Sequence, residues 1–95
     1  MPPGRPNVPV RFWLRPECPV QSVSLRWSYD DWTKDYPLTR NAQSEWEITL
    51  YPLMDGRRIE FKFILDQVNW VCNEQQPTQV CRGGFRNNVM YVPDD

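Results

Sequence analysis

Apolar and polar side chains alternate along most of this chain, with the period of two that sends successive residues to opposite faces of a strand. In "VPVRFWL", residues 8–14, Val8, Val10, Phe12 and Leu14 share one face, and Pro9 suits an edge position. In "VSLRW", residues 23–27, Val23, Leu25 and Trp27 point one way and Ser24 and Arg26 the other. "EWEITLY", residues 45–51, sets Trp46, Ile48 and Leu50 against Glu45, Glu47, Thr49 and Tyr51. "MDGR" then reads as a tight turn into residues 59–65, where Ile59, Phe61, Phe63 and Leu65 oppose Glu60, Lys62 and Ile64. After a polar turn, Trp70 and Val71 begin a short strand, and "NNVMYV", residues 87–92, closes the pattern. No window carries a helical stripe. Short strands separated by turn residues predict an all-β fold, an immunoglobulin-like β-sandwich of about seven strands. Its expected interior holds Val23, Leu25, Trp46, Ile48, Phe61, Phe63 and Val89. Two long loops interrupt it, residues 28–37 and 73–86, and loops carry function more often than strands do.

Ninety-five residues make one domain with one core. The expected division is an N-terminal arm over residues 1–7, rich in proline, and a sandwich domain over 8–95. A net charge of -1 provides no basic field for a nucleic-acid backbone or an anionic membrane, so neither is an expected partner. No apolar run approaches the roughly 20 residues that span a bilayer, and the N-terminus lacks a signal-peptide core. Three cysteines are too few for a disulfide framework, so Cys18, Cys72 and Cys81 read as free thiols of a cytoplasmic protein. Histidine is absent, which removes the commonest general base and the commonest metal ligand. No metal or cofactor is expected. Asp30 and Asp31 adjoin in a loop and read as turn formers rather than as the opposed carboxylates of a glycosidase. The chain is therefore expected not to be an enzyme.

Five tryptophans remain to be placed. Trp27 and Trp46 are in phase with core positions. Trp32 and Trp70 follow polar turns, where an indole either caps the core or stands out as a flat apolar plate. Such a plate stacks on the C–H face of a pyranose while neighbouring amide and ammonium groups reach the hydroxyls. An exposed plate of this kind would contribute little to stability.

The order of motifs resembles the glycogen-binding type of carbohydrate-binding module, family 48, found in the beta subunit of AMP-activated protein kinase and in glucan phosphatases. "VSLRWSYDDW" resembles the family's first strand and tryptophan loop, and "YPLTR" its Pro-Leu-Thr-Arg strand. "SEWEITLYPLMDGRRIEFKFILD" resembles its aromatic strand, turn and Lys-Phe strand, "NWVCNEQQP" its second tryptophan and acidic-Pro loop, and "GFRNNVMYV" its closing strand. The resemblance implies carbohydrate contacts at Trp32, Lys62, Trp70 and Asn87, with Asn88 alongside. It implies an α-1,4-glucan partner (glycogen, starch or maltooligosaccharides), and an attached or partner kinase, phosphatase or glycogen-metabolism protein that the module targets or regulates. Three departures accompany it. Trp27 stands where the family usually has glycine. The turn before Trp70 is one residue longer than the family's and lacks its glycine. The late loop carries Arg82-Gly83-Gly84-Phe85 in place of a leucine, which makes Phe85 and Arg82 candidate additional contacts. These departures also motivate an alternative, a sandwich of the same ancestry that serves protein–protein contacts and has lost glucan binding.

Overall fold

The computed structural model describes residues 5–94. Of the expected N-terminal arm, residues 1–4 lie outside the described residues. Residues 5–7 are tied to the domain: the Asn7 amide donates to the Tyr51 carbonyl at 2.6 Å, and Arg5 pairs with Asp94 at 2.7 Å.

Among the described residues there are nine strands: β1 (Val10–Leu14), β2 (Val23–Trp27), β3 (Tyr36–Pro37), β4 (Thr39–Arg40), β5 (Trp46–Leu50), β6 (Arg58–Leu65), β7 (Asn69–Val71), β8 (Thr78–Val80) and β9 (Arg86–Tyr91). They make two antiparallel sheets, one ordered β1-β5-β4 and the other β3-β2-β6-β9-β8, with β7 also paired to β6. Among the described residues the helical content is two 3-10 turns, Ser28–Asp30 and Arg82–Gly84, and no helix is long and apolar enough to cross a membrane.

The alternation read from the sequence is observed along β2 and, for Ile59, Phe61 and Phe63, along β6. Phe12, Val23, Leu25, Trp27, Ile59, Phe61 and Phe63 are buried in one core cluster. Phe12 meets Phe61 edge-on at 4.9 Å between ring centroids and Trp27 at 5.6 Å. Pairs of this kind add about 0.5–1.5 kcal/mol each beyond the area they bury. Among the described residues the indole N–H of the buried Trp27 has no hydrogen-bond partner. Trp46 and Ile48 are only half-buried and pack against the cluster from the smaller sheet.

Val89 departs from expectation. It is buried, yet it pairs across the ladder with Glu60 and so lies on the outer face of the larger sheet, away from the core cluster. Its neighbour Asn88 pairs with Phe61 and takes the inward place instead.

Candidate functional site

Strand β6 organises the outer face. One of its edges pairs with β2 continuously, from Val23 opposite Leu65 to Trp27 opposite Phe61. Its other edge is divided. β9 occupies it from Arg58 to Phe61, and β7 from Phe63 to Leu65. Lys62 stands at the changeover, unpaired on that edge and facing outward between Glu60 and Ile64.

The turn out of β6 sets Trp70. Asp66 and Gln67 both have left-handed φ, 49° and 67°, and the Val68 N–H donates to the Leu65 carbonyl at 3.0 Å. Two left-handed residues under such a bond are the pattern of a type I′ turn, the tight reversal that suits the twist of a hairpin. The Asp66 carboxylate also accepts from the backbone N–H groups of Gln21 and Ser22, at 2.7 and 3.1 Å. Across this turn Trp70 pairs with Ile64 and falls on the same face as Lys62. Trp70 is 47% exposed, while Ile64 beneath it is 5% exposed although it faces outward. Trp70 is thus both a plate and a cover, so its removal costs more than that of a free-standing platform.

The loop after β2 sets Trp32. The Trp32 N–H donates back to the Trp27 carbonyl at 3.0 Å, and the Asp31 N–H to Ser28 at 3.1 Å. This nested pair closes the 3-10 turn as a Schellman motif does, with Asp31 left-handed at φ 60°. Asp30 holds the rest of the loop: its carboxylate accepts from the Thr33 N–H at 3.2 Å and from the Tyr36 hydroxyl at 2.8 Å. Its role in the structure is that of a loop former.

Arg26, which sequence reasoning placed outward without a role, connects the two tryptophans. Its guanidinium donates to the Trp32 carbonyl at 3.1 Å, pairs with Asp35 at 2.6 Å, and lies 5.7 Å from the centre of the Trp70 ring. The pair with Arg26 holds the Asp35 carboxyl below the usual range. Strand phase had already put Arg26 on this face; its position opposite Lys62 on β6 is the signal that finds it.

The third wall comes from the hairpin between β8 and β9. The Cys81 N–H donates to the Phe85 carbonyl at 2.7 Å and the Gly84 N–H to Cys81 at 3.0 Å. Gly83 and Gly84 take φ values of 84° and 81°, which a side chain would resist. Phe85 is left 68% exposed. At the root of the hairpin the Asn87 amide donates to a Glu60 oxygen at 2.9 Å, and the other Glu60 oxygen takes Arg58 at 2.8 Å. The Cys81 thiol first, then the Asn87 amide and Arg58, hold the Glu60 carboxyl below its ordinary range against the opposing effect of burial.

These walls enclose one cleft of about 700 Å3, lined by Trp32, Glu60, Lys62, Trp70, Arg82, Phe85 and Asn87. The structure therefore brings Trp32, Lys62, Trp70, Asn87, Phe85 and Arg82 together. Asn88 is not among them. It is fully buried, accepts the Asn73 N–H at 2.7 Å and donates to the carbonyls of Asn73 and Pro77 at 2.9 and 3.2 Å. Adjacent residues on a strand face opposite ways, so Asn87 looks outward and Asn88 clamps the 73–77 loop from within. A carbohydrate contact at Asn88 is set aside on that ground. Glu60, in phase with Lys62, is the lining residue that sequence reasoning passed over.

Beyond Lys62 and Trp70 a second cleft of about 560 Å3 adjoins, walled in part by Arg15, Glu17, Cys72 and Arg86. Burial pushes the Cys72 thiol above its ordinary range, and its sulfur donates to the Arg86 carbonyl at 3.2 Å. Cys18, Cys72 and Cys81 are thiols in the structure.

A two-sheet scaffold that carries indoles, an ammonium and an amide around an open cleft is built as a binding module. The chain belongs to the family described as the glycogen recognition site of AMP-activated protein kinase, which it matches over residues 8–95. Modules of this kind are in general non-catalytic. Among curated proteins it is similar to "Cruciform DNA-recognizing protein 1" of Saccharomyces cerevisiae, in strains FostersB, RM11-1a and JAY291, with 29% identity over 76 residues in each case. That similarity takes in 78% of this chain and 16% of each relative, so the chain spans about a sixth of the length of those proteins.

Proposed function

We propose that the 700 Å3 cleft is a non-catalytic α-1,4-glucan site that brings an attached or partner enzyme to glycogen or starch in the cytoplasm. The observation that carries this reading is the convergence of Trp32, Lys62, Trp70 and Asn87 on one cleft from four separate segments of the chain. In this reading Trp32 and Trp70 stack on the C–H faces of successive glucosyl rings. Lys62 donates to a hydroxyl at the base of the cleft. The Asn87 amide and the Glu60 carboxylate, already bonded to each other, present their remaining capacity to the rim. Phe85 closes over the ligand from the hairpin.

Each plate is worth on the order of 1 kcal/mol beyond its area, and hydrogen bonds at an open site compete with water. Together they support roughly micromolar to millimolar affinity for a short oligosaccharide, which many sites along a polymer would raise.

The name of the yeast relatives raises DNA as a ligand. The net charge of -1 supplies no extended basic field to follow a run of backbone phosphates, so nucleic acid is left out of the proposal. The test titrates the chain with a cyclic heptaglucan, followed by tryptophan fluorescence, beside a four-way DNA junction at the same salt. A fluorescence change that saturates with the glucan, and retention on amylose beads, support the proposal. No response to glucan at millimolar concentration overturns it. Saturable binding of the junction in its place would turn the assignment to nucleic acid.

A further inference from the structure

Most arginines of this fold are neutralised from within, as Arg26 is by Asp35, Arg58 by Glu60 and Arg86 by Glu74. Lys62 and Arg82 are not. Among the described residues neither has a carboxylate within ion-pair distance, and both line the same cleft. The acidic residue that shares the lining, Glu60, has its charge answered by Arg58 and Asn87. The cleft therefore carries a local excess of positive charge on a chain whose net charge is -1.

A neutral sugar does not call for this. One ammonium suffices to donate to a hydroxyl, and a second cation at the rim gains little from an uncharged ring. Arg82 is also placed to reach. It opens the tip of the hairpin, followed by two glycines in left-handed conformations, and the space around Gly84 is open. Phe85, three residues on, supplies an exposed ring at the same tip.

We propose that the cleft recognises a glucan bearing a phosphate monoester, with the phosphate held between Lys62 and Arg82 while the aromatic plates take the rings. The proposal rests on the glucan reading above and names its substrate class. A phosphate monoester carries about -1.5 to -2 charges near neutral pH and three acceptor oxygens. The planar fork of arginine matches that geometry in two parallel bonds, and lysine adds a point charge.

The test measures the affinity of the chain for maltoheptaose and for maltoheptaose carrying one phosphate on a C6 hydroxyl, at pH 7.5 and low salt, with glucose 6-phosphate as a third probe. The phosphorylated heptaose should bind about tenfold more tightly than the neutral one, a difference of about 1.4 kcal/mol. The advantage should shrink at high salt. It should shrink again below about pH 6, where the monoester takes up its second proton. Arg82→Gln and Lys62→Gln should each bring the ratio of the two affinities towards one. A wild-type ratio of one, with neutral binding intact, overturns this inference and leaves the glucan reading standing. Failure of both heptaoses overturns both. Glucose 6-phosphate bound as tightly as the phosphorylated heptaose overturns the assignment to a glucan chain in favour of a free sugar phosphate.

Discussion

Trp70→Ala separates the two duties of that side chain. With 47% of its surface exposed, Trp70 keeps about half of a tryptophan's area from water. Taking roughly 100 Å2 lost at about 25 cal/mol/Å2, and allowing for a denatured chain that already buries part of it, the stability cost is about 2 kcal/mol. Any exposure of Ile64, which pairs with Trp70 and is buried although it faces outward, adds to that cost. With a urea dependence of about 1–3 kcal/mol per molar, the unfolding midpoint should fall by about 0.7–2 M. Glucan affinity per folded molecule should fall about tenfold, which is about 1.4 kcal/mol. Trp70→Phe should keep most of the cover and recover most of the stability, with an intermediate affinity. The assay is urea unfolding of each variant, followed by calorimetric titration with cyclic heptaglucan under conditions where the variant is folded. Should Trp70→Ala lose its stability while its affinity stays at the wild-type value, Trp70 is a lid on Ile64 and the argument for a stacking plate fails.

Three further outcomes are expected. Gln67→Gly should raise stability by about 0.5–1 kcal/mol in urea unfolding, because glycine accepts the left-handed φ of 67° that glutamine resists; a fall in stability would remove strain from the account of this turn. Asn88→Ala should destabilise the domain by about 2–4 kcal/mol, since it strands the buried Asn73 N–H and the two carbonyls that Asn88 serves; a loss below about 0.5 kcal/mol would refute the clamp. The carboxyls of Asp35, Glu45, Glu47 and Glu74 are held below their ordinary range by hydrogen bonds, from Arg26, from Asn41 and then Arg11 for both Glu45 and Glu47, and from Arg86 respectively. Groups depressed in the folded state stabilise it above their unfolded values and lose that contribution as pH falls towards their folded ones, so stability should decline below about pH 4.5 and stay level from there to neutrality; urea midpoints that hold constant from pH 7 to pH 3 would contradict this.

The strand pattern was legible where a strand presents one apolar face to the core, as β2 and β6 do. Phe61 and Phe63 against Lys62 needed only the period of two. The same rule, applied along "NNVMYV", would have caught two errors. If Asn87 faces the ligand, Val89 shares its face and Asn88 does not, so Val89 cannot lie between the sheets and Asn88 cannot join the cleft. What alternation could not supply was register. Only the pairing of Glu60 with Val89 decides which of those faces is outward. The role of Arg26 was hidden for a similar reason: its link to Trp32 and Trp70 depends on how a loop folds back, and no local pattern encodes that. The tight reversal before Trp70 could not be read from the sequence, because its two left-handed residues, Asp66 and Gln67, are neither glycine nor asparagine.

The divided edge of β6 also bears on how such a cleft can change over generations. Trp70 rides on β7 and the Arg82–Phe85 tip rides on the hairpin into β9, and the two strands dock on β6 at separate stretches. An insertion or deletion confined to the Arg82–Phe85 tip therefore re-aims Phe85 and Arg82 while the ladder that carries Trp70 beside Lys62 keeps its own pairing on β6. On the proposed glucan reading, that tip is the wall that can change which substituents a ligand carries, while Trp70 and Lys62 keep the hold on its rings.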